Sequence, residues 1–199
     1  MLRHLRPALV MLLLMTALTG LIYPLAMTGI ANAVFLYEAK GSLIERNGKV
    51  IGSALIGQNF AEDRYFHGRP SATTGTDPDD PSRTVSSPYN AASSLASNLG
   101  PTSKALVERV KGDVEKLGGG KDRPVPVDMV TTSGSGLDPH ITPANAALQV
   151  PRVAKTRGVP EDRVRALVAA ATEDRTFGVL GEPRVNVLQL NLSLDALGQ

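Results

Sequence analysis

Two histidines lie beyond the first six residues, His67 and His140. An imidazole titrates near neutral pH, so each is a candidate for general acid–base work. Neither has a second His at ligand spacing, and a zinc site at either would need carboxylates from distant parts of the chain. In Asp138-Pro139-His140 the carboxylate could orient the imidazole as a base and its positioning partner. The same three residues also make a good turn. Ser133 and Ser135 sit just upstream in a Gly-rich turn, but the pattern is not the G-x-S-x-G nucleophile elbow. A hydrolase would need Asp138, His140 and a serine brought together by the fold. The chain has no cysteine, which excludes thiolate catalysis, disulfides and zinc thiolate sites. Asp77-Pro78-Asp79-Asp80-Pro81 has the acidity of a calcium loop but lacks the central Gly and terminal Glu of an EF-hand. Gly120-Lys121 lacks the Ser or Thr that follows the lysine of a phosphate loop. The residues thus form no triad, carboxylate pair or metal cage, and they favour an interaction domain over an enzyme.

The elements around these residues begin with an apolar segment. Residues 7–37 carry no charged side chain. A bilayer core of ~30 Å needs about 20 such residues as a helix, so the reading is a transmembrane helix over residues 7–35. A cleaved signal peptide is the alternative, with Ala31-Asn32-Ala33 as its cleavage site. The apolar run is long for that. Arg3 and Arg6 precede it, whereas Glu38 and Lys40 offset each other beyond it. The positive-inside rule then puts residues 1–6 in the cytoplasm and residues 36–199 outside the plasma membrane. Two of the 21 Lys and Arg precede Glu38, which leaves 19 against 19 Asp and Glu. The folded part is neutral, without the basic footprint of a nucleic-acid binder.

Within residues 36–199 the pattern is mixed. Residues 41–52 read as a hairpin about Asn47-Gly48, a preferred type I′ pair, with residues 53–56 extending its second strand. Phe60, Tyr65 and Phe66 gather three of the few aromatics into one short patch. Residues 71–98 form a long loop rich in Ser, Thr, Pro, Asp and Gly. A helix is expected over residues 103–117, capped by Thr102, with Leu106, Val110, Val114 and Leu117 as its buried stripe. Residues 125–131 read as a strand. Thr142-Pro143 opens a helix to about Arg157, bent at Pro151 and ended by Gly158. Another starts at Pro160 and buries Val164, Leu167, Val168 and Ala171. Residues 184–190 read as a strand, and residues 191–197 as further strand or a last helical turn. The fold class is α+β: one N-terminal transmembrane helix, then a single small domain with a short sheet and about three helices.

The order of several short motifs resembles the C subunit of the bacterial Kdp potassium-transporting ATPase. The likeness begins with Leu5-Arg6-Pro7-Ala8 and Tyr23-Pro24-Leu25. It continues through Gly52-Ser53-Ala54-Leu55-Ile56-Gly57-Gln58-Asn59-Phe60 and Tyr65-Phe66-His67-Gly68-Arg69-Pro70. Ser135-Gly136-Leu137-Asp138, Gln149-Val150-Pro151-Arg152-Val153-Ala154 and Arg184-Val185-Asn186-Val187-Leu188 complete it. Leu36 and Leu95-Ala96 depart from the family pattern, where a proline and a Gly-Gly are expected. The resemblance implies a non-catalytic, single-pass accessory subunit of a potassium import complex in the bacterial inner membrane. Its partners would be a channel-like potassium subunit and a P-type subunit that hydrolyses ATP. It also implies a catalytic-chaperone role that raises the ATP affinity of the P-type subunit, with Gln149 as the residue that would touch ATP. No cofactor of the chain's own is implied. A Gln amide both donates and accepts, so Gln149 could equally bridge its own helix near Pro151. The charge asymmetry puts Gln149 outside the cell, away from any ATP pool, and there the structural role is the expected one.

Overall fold

A computed structural model describes residues 2–197. The backbone falls into two compact units, Met1–Ser53 and Ala54–Gln199.

In the first unit a helix runs unbroken from Leu5 to Val34, 30 residues, and it is long and apolar enough to cross a membrane. At ~1.5 Å per residue it measures about 45 Å. It comprises α1 (Leu5–Ala17), a π-helical turn (Leu18–Ile22) and α2 (Tyr23–Val34). The Tyr23 N–H reaches back five residues to the Leu18 carbonyl. This widened turn falls at Pro24, which has no N–H to continue the ladder and whose ring crowds the preceding turn. Thr19 donates to the Met15 carbonyl at 2.6 Å and Asn32 to the Thr28 carbonyl at 2.8 Å. Both polar side chains are thereby satisfied within the helix, as a lipid environment demands. A single turn, α3 (Leu36–Ala39), leads to β1 (Leu43–Arg46) and β2 (Lys49–Ser53), an antiparallel pair. Asn47 and Gly48 both have positive φ, 54° and 73°, as the type I′ turn requires. The second strand stops at Ser53, whose hydroxyl donates to the Gly41 carbonyl at 2.7 Å. Residues 54–56 do not extend it.

The second unit is built on β5 (His140–Ile141), β6 (Thr172–Glu173) and β7 (Arg184–Asn186), an antiparallel sheet in the order β5-β7-β6. Before it come β3 (Thr74–Thr76) and β4 (Thr84–Ser86), a separate hairpin, and the helix α4 (Lys104–Lys116). Three helices, α5 (Pro143–Arg157), α6 (Glu161–Ala170) and α7 (Val187–Ala196), supply most of the core. Ala146, Val150, Val153 and Ala154 share one face of α5, Val164 and Val168 one face of α6, and Val187, Leu190 and Leu194 one face of α7. These spacings of three and four residues are the helical repeat. Phe66 and Val185 are wholly buried among them. Thr142 caps α5 by accepting the Asn145 N–H at 3.1 Å, and Gly158 ends it at φ 66°, the left-handed cap that glycine favours.

Other elements also differ from those expected. Residues 125–131 hold no strand; Val127–Met129 is a 3₁₀ turn, because Pro124 and Pro126 have no N–H to give a ladder. β7 ends at Asn186, and α7 begins directly after it. The Asn186 side chain accepts the Gln189 N–H at 3.1 Å and so caps a helix whose Val187, Leu190 and Leu194 face the core. Finally α4 starts after Ser103, not Thr102, without a side-chain cap, and Leu106, Val110, Val114 and Leu117 are only half-buried.

Candidate functional site

Five consecutive residues, 63–67, have no regular secondary structure, yet Phe66 in their midst is fully buried. Buried backbone polar groups need partners, and here long side chains from α5 and α7 provide them. Asn191 accepts the Phe66 N–H at 2.9 Å and donates to the Phe66 carbonyl at 3.0 Å. Gln149 does the same for His67, at 2.8 and 3.0 Å. Arg152 donates to the carbonyls of Asp63 and Tyr65, and Arg157 to that of Arg64. Arg157 also pairs with Asp195 at 2.8 Å and lies over the Tyr65 ring. Two carboxamides thus act as strand mimics, each occupying both polar groups of one residue.

Gln149 is 5% exposed, and its amide is saturated. Besides the two bonds to His67, its Nε2 donates to Asn145 Oδ1 at 2.7 Å, and its Oε1 accepts from Arg152 at 2.6 Å. Both donors and both acceptor lone pairs are spent within the protein. The network continues inward. Asn145 donates to Asp128 at 2.9 Å, and the Asp128 carboxylate also receives the Thr142 N–H at 2.7 Å and the Thr142 hydroxyl at 3.0 Å. A cleft of about 470 Å³ opens beside this network, with Asn59, Phe60, His67, Arg69, Tyr89 and Arg152 among its walls. Burial, and then the charge of Arg152, hold the His67 imidazole below its ordinary value. Burial, helped by Asp138, pushes the Tyr89 phenol up to about 12. That phenol donates to the Arg69 carbonyl at 2.8 Å.

The Asp138-His140 pair is brought together, but as a turn. Asp138 accepts the His140 N–H at 3.0 Å, and its other oxygen pairs with Arg69 at 3.0 Å. The His140 ring lies 3.5 Å from the carboxylate. Burial raises the Asp138 carboxyl, but the bonds from His140 and Arg69 outweigh it and hold it below the ordinary range. Ser133 and Ser135 turn to backbone instead: their hydroxyls accept the N–H groups of Gly136 and Leu137. Among the described residues no group of three or more His, Asp or Glu side chains could hold a metal ion. The acidic stretch 77–81 is the tip between β3 and β4, where Asp77 and Asp80 accept the N–H groups of Asp79 and Ser82.

Residues 71–98, expected as a long loop, contain the β3–β4 hairpin, and the stretch is stitched by side chains. Ser71 donates to the Gly136 carbonyl at 2.7 Å, Thr73 to Ser87 at 2.6 Å and Asn90 to Thr74 at 2.7 Å. A Cβ on Gly57 would stand 2.7 Å from the Asp138 carbonyl, and one on Gly136 2.6 Å from that of Leu95. Both glycines are there because backbone approaches closely.

Asp128, Asn145, Asn191, Arg69 and Arg152 escape the sequence reading. One signal for two of them was present. Asn145 and Asn191 sit on the apolar face of their helices, beside Ala146 and Leu190, where an amide is kept only if it has partners.

The architecture is one long apolar helix, a hairpin and a small α+β domain whose buried amides hold its own backbone. A profile of the family described as "K+-transporting ATPase, c chain" matches residues 5–196. The "Potassium-transporting ATPase KdpC subunit" of Methylorubrum populi is 66% identical over 200 residues, covering 100% of both chains. That of Methylobacterium nodulans is 64% identical over 198 residues, 99% of this chain and 98% of the relative. That of Bradyrhizobium diazoefficiens is 64% identical over 196 residues, 98% of each. The chain belongs to this family of potassium-transporting ATPase c chains.

Proposed function

We propose that the chain is a non-catalytic accessory subunit of a high-affinity, ATP-driven potassium import complex. The whole-length likeness to potassium-transporting ATPase subunits carries this reading. In it, Leu5–Val34 spans the bacterial inner membrane once, with the N-terminus in the cytoplasm. Residues 36–199 form the extracytoplasmic domain. The partners are a P-type subunit that hydrolyses ATP and a channel-like subunit that carries potassium. The placement of Arg3 and Arg6 before the helix supports the orientation.

In this reading the chain serves assembly and stability of the complex, beside the catalytic-chaperone action that the family resemblance implies, a higher ATP affinity of the P-type subunit. A nucleotide contact through Gln149 would require its amide to give up hydrogen bonds among the four it makes to His67, Asn145 and Arg152, and this supports the structural role.

Co-purification of the tagged chain from detergent-solubilised membranes tests the class: recovery of a P-type ATPase subunit is expected, and its absence overturns the proposal. The chain has no cysteine, so Thr76→Cys at the exposed edge of β3 is a clean reporter of side. A membrane-impermeant thiol reagent should label it in intact spheroplasts. Labelling only after lysis would reverse the orientation. Mass measurement of the extracted protein should find residues 1–33 still attached.

A further inference from the structure

The cleft beside the amide network holds a positive charge that the chain does not fully match. Arg69 and Arg152 both line it, and among the described residues no Asp or Glu does. Arg69 is neutralised by Asp138 at 3.0 Å. Arg152 gives three of its N–H groups to the carbonyls of Asp63 and Tyr65 and to Gln149, all uncharged acceptors. The carboxylate of Asp63 stands 3.8 Å from it and is 74% exposed, where water screens the attraction. Burial holds the Arg152 guanidinium below its ordinary value, and Asp63 opposes this only in part. A half-buried cation is costly unless an anion completes it.

The cleft is also held in shape. Tyr89 forms one wall with φ 61°, a left-handed backbone that bulky residues adopt only where the surroundings impose it. Its phenol donates to the Arg69 carbonyl at 2.8 Å and its N–H to the Ser71 hydroxyl at 3.1 Å. The ring lies against Gly57 and Gly68, where a Cβ would collide with it. Backbone strain of this sort gathers at ligand clamps. The other walls set apolar Phe60, Pro88, Leu117 and Met129 beside polar Asn59 and His67. The volume, about 470 Å³, lies within the ~300–1,000 Å³ of small-ligand sites.

We propose that this cleft binds a carboxylate carried on an apolar body, with Arg152 as its counter-charge and Asn59 and His67 beside it. One unmatched positive charge calls for a monoanion. A phosphate monoester carries about −1.5 to −2 at neutral pH and would leave negative charge over. The apolar walls call for a body that an inorganic anion lacks. The carboxylate belongs either to a free solute or to a partner polypeptide.

The probe is 3-phenylpropionate, titrated into the full-length chain in detergent, with the His67 ring resonance as the readout. His67→Gln assigns that signal among the three histidines. A saturable shift and a raised His67 pKa are expected, since an anion offsets the charge of Arg152. The neutral amide of the probe should leave the resonance unmoved. Arg152 also braces the chain, so the variant is Asn59→Asp, at an exposed position of the wall. It should weaken binding about tenfold, the scale of one charge–charge interaction in a half-buried site, with the melting temperature unchanged. No saturable shift at millimolar probe, an equal response to the amide, tighter binding of phenyl phosphate, or unchanged affinity in Asn59→Asp overturns the proposal. The same titration on the complex recovered with the tagged chain separates the sources. A response kept there assigns the cleft to a free carboxylate. A response lost there, and present on the isolated chain, assigns it to a carboxylate of a partner polypeptide. Failure to recover any complex would overturn the accessory-subunit reading and leave the result on the isolated chain standing.

Discussion

The carboxamide of Gln149 and the peptide of His67 close a ring of two hydrogen bonds, at 2.8 and 3.0 Å. The pairing is that of a β-ladder, made by one side chain from a helix. It lets a segment without regular structure cross the edge of the core with its polar groups satisfied.

Gln149→Ala should therefore act on stability. It leaves the His67 N–H and carbonyl, Asn145 and Arg152 short of a partner at a buried position. The expected loss is about 1–3 kcal/mol, read from the denaturation midpoint. Gln149→Glu keeps the acceptor for His67 and Arg152 but removes both donors, and it should also destabilise. In the assembled complex, the ATP concentration needed for half-maximal hydrolysis should change little in either variant. A large rise with stability intact would show that Gln149 couples to the nucleotide.

Asn191 clamps the adjacent peptide, that of Phe66, so the two amides brace one strap. Loss of one clamp should free the segment and weaken the other. In a double-mutant cycle of Gln149→Ala and Asn191→Ala, the combined loss should fall short of the sum by about 0.5–3 kcal/mol, the range for residues that share a structure. Strict additivity would mean that the peptides of Phe66 and His67 are held independently.

Stability should fall with pH in two windows. The His67 imidazole lies below its ordinary 6.5 in the folded chain. The unfolded chain therefore takes the proton first, and this stability is present above about pH 6.5 and lost as the pH falls through the folded value. The Asp138 carboxyl lies below its ordinary 3.8. Its contribution is present above that value and lost as the pH falls further. Denaturation from pH 7.5 down to 3 should show both. His67→Gln should remove the first step. Arg69→Met should shrink the second step, because it raises the folded Asp138 value toward the unfolded one. A flat profile down to pH 4 would contradict the burial of His67.

The parts of this fold that follow from local rules are legible in the sequence. Asn47-Gly48 fixes the hairpin turn, Thr142-Pro143 starts α5, Gly158 stops it, and Val164 and Val168 face the core. Elsewhere two repeats compete. The run from Val185 to Leu194 alternates over much of its length as a strand would, but Val187, Leu190 and Leu194 also recur at helical spacing, and α7 forms on them with Asn186 as its cap. The amide straps were hidden for a different reason. Gln149 meets His67 from 82 positions away and Asn191 meets Phe66 from 125, and no spacing rule reaches across such separations. The same holds for Arg69 and Asp138, 69 positions apart.

Gly20 lies in the π-helical turn Leu18–Ile22, and a Cβ built there meets no atom within 4 Å. The helix itself therefore tolerates a side chain at this position, although glycine is a poor helix former. In lipid, helices associate by close packing at small residues, not by the hydrophobic effect. If the Gly20 face is where a partner helix approaches, Gly20→Leu excludes that helix by bulk, and the complex should loosen. Gly20→Ala adds one methyl group and should fall between the two. The measurement is the yield of ATPase subunit retained on the tagged chain through a detergent wash, with membrane insertion checked by extraction. Full retention by Gly20→Leu would show that the partner packs on another face of the helix.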